Sequence, residues 1–288
     1  MRNYIKLIRL EQYIKNVFVV APLFFAGELF NVDRALSVAI AFISFCMAAS
    51  AIYILNDYFD IAEDREHPVK SARPLASQSV SVKNAAVLGI ALLSVSLILS
   101  WAVSPELLLI IIAYVILNIL YSAWLKHIAI LDLNIIAIGF VLRLLAGAAV
   151  ADIELSVWIL LVTYLLALFL ALAKRRTDVV LSNQGKEVRK NIKGYNLIFV
   201  DIVLGLLSAV LIVCYIFYCI SPEVQQHYNS KWLYLSIIFV LNGLLRYLKL
   251  ALVDQSTYSP TLVILKDGFI QLMVLGWIAL MGTLLYFN

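Results

Sequence analysis

Long apolar runs separated by short polar segments make up most of this chain from residue 16 onward. Each run is close to the length of about 20 residues that a helix needs to cross the hydrocarbon core of a bilayer. Hydropathy predicts nine spans, near residues 16–30, 35–55, 85–104, 107–125, 130–150, 155–173, 196–221, 232–250 and 266–287. The pattern therefore predicts an all-α integral membrane protein with nine transmembrane helices.

The residues before the first predicted span, MRNYIKLIRLEQYIKN, alternate basic and apolar positions. They are too polar for the hydrophobic part of a signal peptide, and no small-residue cleavage site follows them. We therefore expect a basic amphipathic helix on the membrane surface, with nothing removed on maturation.

The composition supports the membrane assignment and excludes several other classes. Hydrophobic residues make up 64% of the 288 residues and charged residues only 14%, with a mean hydropathy of +0.97. A soluble domain has roughly 45–50% apolar and 25% charged residues. The three cysteines lie in apolar runs without the spacing of a metal site or a disulfide framework. A soluble globule and a disulfide scaffold are thus both excluded.

The positive charges fix the predicted orientation. With the amino terminus inside, nineteen of the 22 Lys and Arg residues fall on the cytoplasmic side, Arg143 lies within the fifth span, and only Arg34 and Lys231 fall outside. Such a bias is the positive-inside rule. We expect a multi-pass protein of the plasma or inner membrane whose active site faces the cytoplasm. The net charge of +4 is explained by this distribution, and we expect no nucleic-acid partner.

The most specific chemical feature follows the second predicted span. Asn56 and Asp57 continue an apolar run, and Asp57, Asp60 and Asp64 stand at i, i+3 and i+7, which is one face of a helix. We call these three residues the carboxylate stripe. Carboxylates together with substrate phosphates are the usual ligands of Mg²⁺. The stripe predicts a Mg²⁺ site, with Mn²⁺ as the alternative ion, whereas the structural alternative is a solvated acidic helix end.

Two cations follow within reach of the same space, Lys70 and Arg73. The planar fork of arginine suits phosphate oxygens, and Pro74 stiffens the loop after Arg73. The positive-inside bias alone could account for Lys70. The segment therefore predicts a diphosphate-binding region, in which Arg73 is the stronger candidate.

The string NDYFDIAEDREHPVKSARPLA after the second span resembles the UbiA-type superfamily of intramembrane prenyltransferases over essentially the whole chain. Within that superfamily it resembles the polyprenyl-phosphate phosphoribosyltransferase branch. The amino-terminal pattern of that branch is matched at Arg9, Gln12, Lys15 and Asn16, with departures at Leu10 and Tyr13. The resemblance implies that Asn56, Arg65, Gln12 and Lys15 belong to the substrate site.

The segment after the sixth span separates the branches. Aromatic prenyltransferases of the superfamily carry a second Asp-rich motif there, but this chain has KRRTDVVLSNQGKEVRKNIK, with seven basic residues against Asp178 and Glu187. Lys and Arg bind phosphate directly. The resemblance therefore implies phosphoribosyl diphosphate as the donor, with Lys174 and Arg175 among its ligands. The alternative is a basic loop attracted to anionic lipid.

The fourth and fifth spans add Tyr121, Lys126, Asp132 and Arg143. Asp132 and Arg143 are about three helical turns apart and so share a face. They form either a structural pair or part of the site. In the functional interpretation Asp132 orients the ribose or a cation, Tyr121 contacts substrate, and Lys126 and Arg143 bind the acceptor phosphate on the side away from the stripe. Asp267 and Gln271 are weaker candidates, and Asp201 has no explanation at this stage.

Together these features predict a single UbiA-like membrane domain, residues 1–288, whose nine helices surround a cytoplasm-facing cavity. The implied reaction transfers 5-phosphoribose from phosphoribosyl diphosphate to a polyprenyl phosphate in the lipid bilayer, for a cell-envelope glycolipid precursor. One alternative is transfer of a prenyl chain to an aromatic acceptor. A non-enzymatic alternative is a lipid-phosphate transporter, which would favour polar residues near mid-membrane rather than at one face.

Overall fold

The structure is a computed structural model that describes residues 2–66, 70–184, 192, 194–254, 262–263 and 266–287. Every regular element in these residues is a helix. In chain order they are α1 (Arg2–Ile8), a 3-10 helix (Leu10–Val19), α2 (Ala21–Phe25), α3 (Val32–Phe59), α4 (Ile61–Glu66), a 3-10 turn (Lys70–Ala72), α5 (Val82–Val103), α6 (Pro105–Ala123), a 3-10 turn (Leu125–His127), α7 (Leu131–Ala151), α8 (Val157–Asn183), α9 (Leu197–Ile220), α10 (Pro222–His227), a 3-10 turn (Trp232–Ser236), α11 (Ile237–Leu252) and α12 (Gly268–Tyr286).

Eight helical stretches of the described chain are long and apolar enough to cross a membrane: α3, α5, α6, α7, α8, α9, the continuous stretch Trp232–Leu252, and α12. They match the second to ninth predicted spans. The chain is therefore an all-helical, multi-pass membrane protein. The amino-terminal orientation and the cytoplasm-facing cavity stay predictions.

The first predicted span, near residues 16–30, is not one helix. It is divided between the 3-10 helix and α2, and these two elements together with α1 form what we call the amino-terminal segment, residues 2–25. Pro22 has no N–H to continue a helical hydrogen-bond ladder, but it is well suited to the first turn of α2. Gly27 then takes a positive φ of 72° and ends the segment. Hydropathy reflects the apolar content of this region but does not show where one helix ends and the next begins.

Side chains cap most of the long helices. In each case a Ser, Asn or Asp just before the helix accepts a hydrogen bond from the backbone N–H three residues further on, which satisfies an N–H that has no partner within the helix. The capping residues are Asn31 for α3, Ser81 for α5, Ser104 for α6, Ser156 for α8, Asn196 for α9 and Asp267 for α12. These polar residues mark the boundaries that the apolar pattern predicts.

The described chain divides into two compact units, residues 1–154 and 155–288. In the first unit α3 packs against α5, α6, α7 and the amino-terminal segment. Its core is formed by α3 residues such as Phe45 and Ala48 together with Ile111 and Tyr114 of α6, all nearly inaccessible to solvent. At 28 residues α3 is about 42 Å long, which exceeds the hydrocarbon core of about 30 Å.

In the second unit ion pairs connect the helices. Arg176 of α8 binds Asp201 of α9 with an Nε–Oδ1 distance of 2.7 Å, which gives Asp201 the structural explanation that the sequence did not supply. Arg246 of α11 binds Asp267, which caps α12, with Nη2–Oδ2 at 2.8 Å. Hydrogen bonding from this arginine lowers the pKa of the Asp267 carboxyl. Both acidic residues therefore serve helix packing within this unit.

Gly147 of α7 gives a test of how closely the amino-terminal segment is packed. A Cβ at this position would lie 1.8 Å from the carbonyl oxygen of Val19 and 3.3 Å from Pro22. Because a backbone atom cannot move aside cheaply, we expect Gly147→Ala to lower the free energy of unfolding by about 1–3 kcal/mol, as overpacking does. Thermal unfolding of the purified protein in detergent measures this change.

Gly205 in α9 is the matched control, since no atom lies within 4 Å of its Cβ position. Gly205→Ala is expected to stabilise the helix by up to about 1 kcal/mol. Equal melting temperatures for the two variants would contradict the close packing of α7 on the amino-terminal segment.

Candidate active site

The carboxylate stripe lies where α3 passes into α4. The backbone N–H of Asp60 donates to Asn56 O at 3.0 Å, and that of Asp64 donates to Asp60 O at 2.8 Å. These i to i+4 bonds carry the helical register across the boundary between the two helices, so the three carboxylates keep the common face that their spacing predicts. Asp57 and Asp64 are each only 2% exposed. Carboxylates this buried require partners.

Each carboxylate of the stripe is paired with a cation. Arg9 Nη2 binds Asp57 Oδ1 in a very short contact. Arg73 Nη1 lies 2.7 Å from Asp64 Oδ2 and 3.2 Å from Asp57 Oδ1, so that one guanidinium bridges two carboxylates. Mutual repulsion along the stripe is thereby offset within the protein.

Asp60 is paired with Lys126 through its Oδ1. Lys126 comes from the 3-10 turn after α6, and the end of α6 is itself tied to α3 because Ser122 Oγ donates to Asn56 Oδ1 at 3.3 Å. Asn56 Nδ2 in turn donates to Asp60 Oδ2 at 3.0 Å. The expected position of Lys126 away from the stripe is therefore wrong, because the packing of α6 on α3 brings this lysine to Asp60.

The loop after α4 holds Arg73 in place. Its N–H donates to Lys70 O at 2.9 Å, and its own carbonyl accepts from both the N–H and the hydroxyl of Ser77, at 2.9 and 2.8 Å. Pro74, which follows it, is buried. By contrast Arg65 is exposed and donates to Ala76 O at 3.3 Å. The structure thus brings Arg73 to the stripe, while Arg65 braces the loop.

The amino-terminal segment supplies a site residue that our sequence analysis did not select, Arg9. It adopts a left-handed backbone conformation, φ 56° and ψ 55°, immediately before the 3-10 helix. Its guanidinium also lies over the ring of Tyr53, 5.2 Å from the centroid. The only sequence signal for Arg9 was its place in the amino-terminal pattern. Gln12 and Lys15, which were assigned to the substrate site from the same pattern, are half-buried on the 3-10 helix.

Asp132 and Arg143 are both buried in α7, with exposures of 0% and 5%. Within the described residues, none of the hydrogen bonds of Arg143 goes to a carboxylate, Asp132 included. Its Nε donates to Asn16 Oδ1 at 2.7 Å, and its other nitrogens donate to Gly139 O and Tyr114 OH. The possible Asp132–Arg143 pair is therefore not formed. Tyr121 is half-buried in α6.

The remaining candidates belong to the second unit. Arg175 is 1% exposed and donates to Asp178 at 3.0 Å, whereas Lys174 is exposed. The single acidic residue in this part of α8 is thus already paired. Residues 185–191 and 193, which carry the rest of the predicted basic loop, lie outside the described residues.

The stripe does not form a ready-made metal cage. Among the residues that the structure describes, no group of three or more His, Cys, Asp or Glu side chains gathers around one point. This fits Mg²⁺, which commonly takes one or two carboxylates and fills its other positions with water and substrate phosphate oxygens. The oxygen ligands of the stripe and the cations beside them are together suited to a metal-bound diphosphate.

Comparisons with known proteins show the family of the chain. A family model described as the UbiA prenyltransferase family matches residues 17–260. The chain is 34% identical to a decaprenyl-phosphate phosphoribosyltransferase of Mycolicibacterium smegmatis, over 99% of this chain and 92% of that protein. It is 31% identical to one of Mycobacterium tuberculosis, over 99% and 94% of the two chains.

A solved structure shows the same fold. A UbiA homologue from Archaeoglobus fulgidus, bound to DMAPP and Mg²⁺, matches with a TM-score of 0.72 at 19% sequence identity, and the match covers 99% of both chains. At this identity the likeness extends to the fold alone.

The bridging position of Arg73 predicts a coupling with Asp64. Arg73→Gln removes a charged partner from two buried carboxylates, so we expect the free energy of unfolding to fall by about 1–3 kcal/mol. Asp64→Asn in the same chain should recover part of that loss, because the unpaired charge is then also removed. A double-mutant cycle on thermal unfolding measures the coupling.

Arg65→Gln is the control, because an exposed residue that makes one hydrogen bond should change stability by no more than about 0.5 kcal/mol. Strictly additive effects of the Arg73 and Asp64 substitutions would show that the bridge contributes nothing.

Proposed function

From the premise that the chain belongs to the UbiA prenyltransferase family, we propose that it is a polyprenyl-phosphate phosphoribosyltransferase. It transfers 5-phosphoribose from phosphoribosyl diphosphate to a polyprenyl phosphate and releases diphosphate. The observation that carries the proposal is the identity of 31–34%, over nearly the whole chain, with proteins named decaprenyl-phosphate phosphoribosyltransferase. We further propose that the product is a cell-envelope glycolipid precursor.

The donor is assigned to the carboxylate stripe. Asp57 and Asp60, with Asp64 as a further ligand, hold Mg²⁺, which supplies positive charge to the leaving diphosphate. Arg9, Arg73 and Lys126 already lie beside these carboxylates, within reach of a diphosphate bound there. Such preorganised cations stabilise the charge that develops on the leaving group. Lys126 is thereby assigned to the donor rather than to the lipid phosphate.

The remaining candidates keep the roles expected from the sequence. Asp132 orients the ribose or a cation, and Gln12, Lys15, Lys70 and Tyr121 contribute to the walls of the site. The assignment of Lys174 and Arg175 to a donor phosphate stays a prediction from the resemblance and rests on the affinity of Lys and Arg for phosphate. The positive-inside distribution supports a plasma-membrane location with this site on the cytoplasmic side.

The reaction needs no protein nucleophile. The lipid phosphate is already anionic, and it attacks the anomeric carbon from the face opposite to the departing diphosphate. Because attack and departure take place on opposite faces, this single displacement inverts the configuration of the anomeric carbon, which is oxocarbenium-like at the transition state. The protein therefore contributes chiefly by holding the two phosphates on opposite sides of the ribose.

A second candidate function is prenyl transfer to an aromatic acceptor, which is favoured by the fold shared with a UbiA homologue bound to DMAPP. The segment that begins at Lys174 argues against it, because it has seven basic residues against Asp178 and Glu187 in place of a second Asp-rich motif. Membership of a transferase family argues against the transporter alternative.

The experiment that separates these functions supplies purified protein with Mg²⁺ and one of two substrate pairs. Labelled phosphoribosyl diphosphate with a short polyprenyl phosphate should yield a lipid-soluble label. Turnover of geranyl diphosphate with an aromatic acid, without use of phosphoribosyl diphosphate, would establish the second candidate instead. Formation of the labelled lipid in the presence of excess chelator would contradict the assignment of Mg²⁺ to the stripe.

The stripe predicts a large effect of neutral substitutions. Asp57→Asn or Asp60→Asn should lower turnover by at least about 100-fold, because several kcal/mol of charge stabilisation depend on the bound metal. Binding of Mn²⁺ followed by electron paramagnetic resonance should weaken in parallel.

Asp33→Asn is the matched control, since Asp33 lies in the first turn at the other end of the same helix. It should leave turnover and Mn²⁺ binding within about twofold of the wild type. Wild-type Mn²⁺ affinity in Asp57→Asn would remove that carboxylate from the metal site.

A further inference from the structure

Arg143 is a cation buried in the middle of a membrane-spanning helix without an acidic partner among the described residues. Its guanidinium carbon lies 4.9 Å from the ring centroid of Tyr114, 5.3 Å from that of Phe45 and 5.4 Å from that of Phe140. Desolvated aromatic faces stabilise a cation. Arg143 is 5% exposed, and its guanidinium is surrounded by these three rings.

The hydrogen bond from Arg143 Nε to Asn16 Oδ1 determines the orientation of the asparagine. Arginine has donors only, so the amide oxygen must face it and the amide nitrogen must point away. That nitrogen donates to Cys46 Sγ at 3.1 Å. Asn16 is 1% exposed and is thus fixed between α7 and α3.

The amino-terminal segment then follows one face of α3 toward the stripe. The α3 residues that it contacts are separated by four, three and four positions, so they lie on one face of the helix. Tyr13 OH lies 2.9 Å from Ser50 Oγ. The hydroxyl of Ser50 donates to Ile8 O, also at 2.9 Å. The last contacts are those of Arg9. The α3 residues along this face are Cys46, Ser50, Tyr53 and Asp57.

We propose that Arg143 is a positioning residue that acts through Asn16 and the 3-10 helix to hold Arg9 on Asp57. It fixes Asn16 in the second half of that helix, and Arg9 directly precedes the first residue of the helix. This role replaces the expected contact of Arg143 with the acceptor phosphate. The kinetic part of the test rests on the proposed function, whereas the structural part does not.

The first measurement is hydrogen exchange of the backbone amides of residues 10–19 in the full chain, without substrate. Arg143→Met keeps an apolar chain among the rings but removes the three hydrogen bonds. Leu144→Ala is the matched control, since Leu144 is the next residue of α7 and is fully buried. Faster exchange is expected in Arg143→Met alone. Unchanged exchange in that variant would overturn the proposal.

The second measurement is binding of Mg²⁺ with phosphoribosyl diphosphate by calorimetry. Arg143→Met should weaken it about tenfold, the scale of one charge-assisted hydrogen bond lost, while the Michaelis constant for polyprenyl phosphate changes less than twofold. In an Arg9→Gln background the same substitution should change donor affinity by less than about twofold, because the charged contact of Arg9 with Asp57, through which Arg143 acts, is already absent.

Two outcomes would overturn the positioning role. One is an equal loss of donor affinity in both backgrounds. The other is a raised Michaelis constant for the lipid with unchanged donor affinity, which would return Arg143 to the acceptor. Asn16→Asp, which keeps an acceptor oxygen, should retain donor affinity, and Asn16→Leu should lose it. Wild-type protein that binds no phosphoribosyl diphosphate contradicts the proposed function instead, and the exchange comparison then decides the positioning role alone.

Discussion

Neutralising three carboxylates at the end of an apolar helix is the constraint on which the first unit depends. Asp57, Asp60 and Asp64 share one helix face, and two of them are almost fully buried. Ionised groups in such surroundings are costly unless they are paired. The three cations that pair with them come from three separate parts of the chain, the amino-terminal segment, the loop after α4 and the turn after α6. Charge neutralisation thus joins elements that are far apart in sequence.

The same arrangement would suit a metal-bound diphosphate because its charged groups can exchange partners. A divalent ion would offset part of the negative charge of a diphosphate that enters with it. The carboxylates would then hold the metal, and the cations beside them would hold the phosphate oxygens. Charged groups that are already in place need little reorganisation, which is the condition for strong electrostatic stabilisation.

Local features of the structure were predictable from the sequence, whereas pairings between elements were not. Apolar run length found eight spans, and the i, i+3, i+7 spacing found the stripe, because both depend on neighbouring residues. The partners of the stripe depend on packing, so Arg9 was missed and Lys126 was placed on the wrong side. Asp201 had no explanation until α8 and α9 were seen together, because its partner Arg176 is 25 residues away.

The amino-terminal segment shows why hydropathy alone misjudged one element. Its apolar content serves packing on α3 and α7 rather than a crossing in one helix, and the close approach at Gly147 is possible only because that residue has no Cβ. A segment held in this way can carry Arg9 to the stripe at a defined position. The likeness to a UbiA homologue at 19% identity extends to the fold alone. The ion pairs at the stripe depend on the side chains of this chain, and the amino-terminal segment delivers one of them, Arg9.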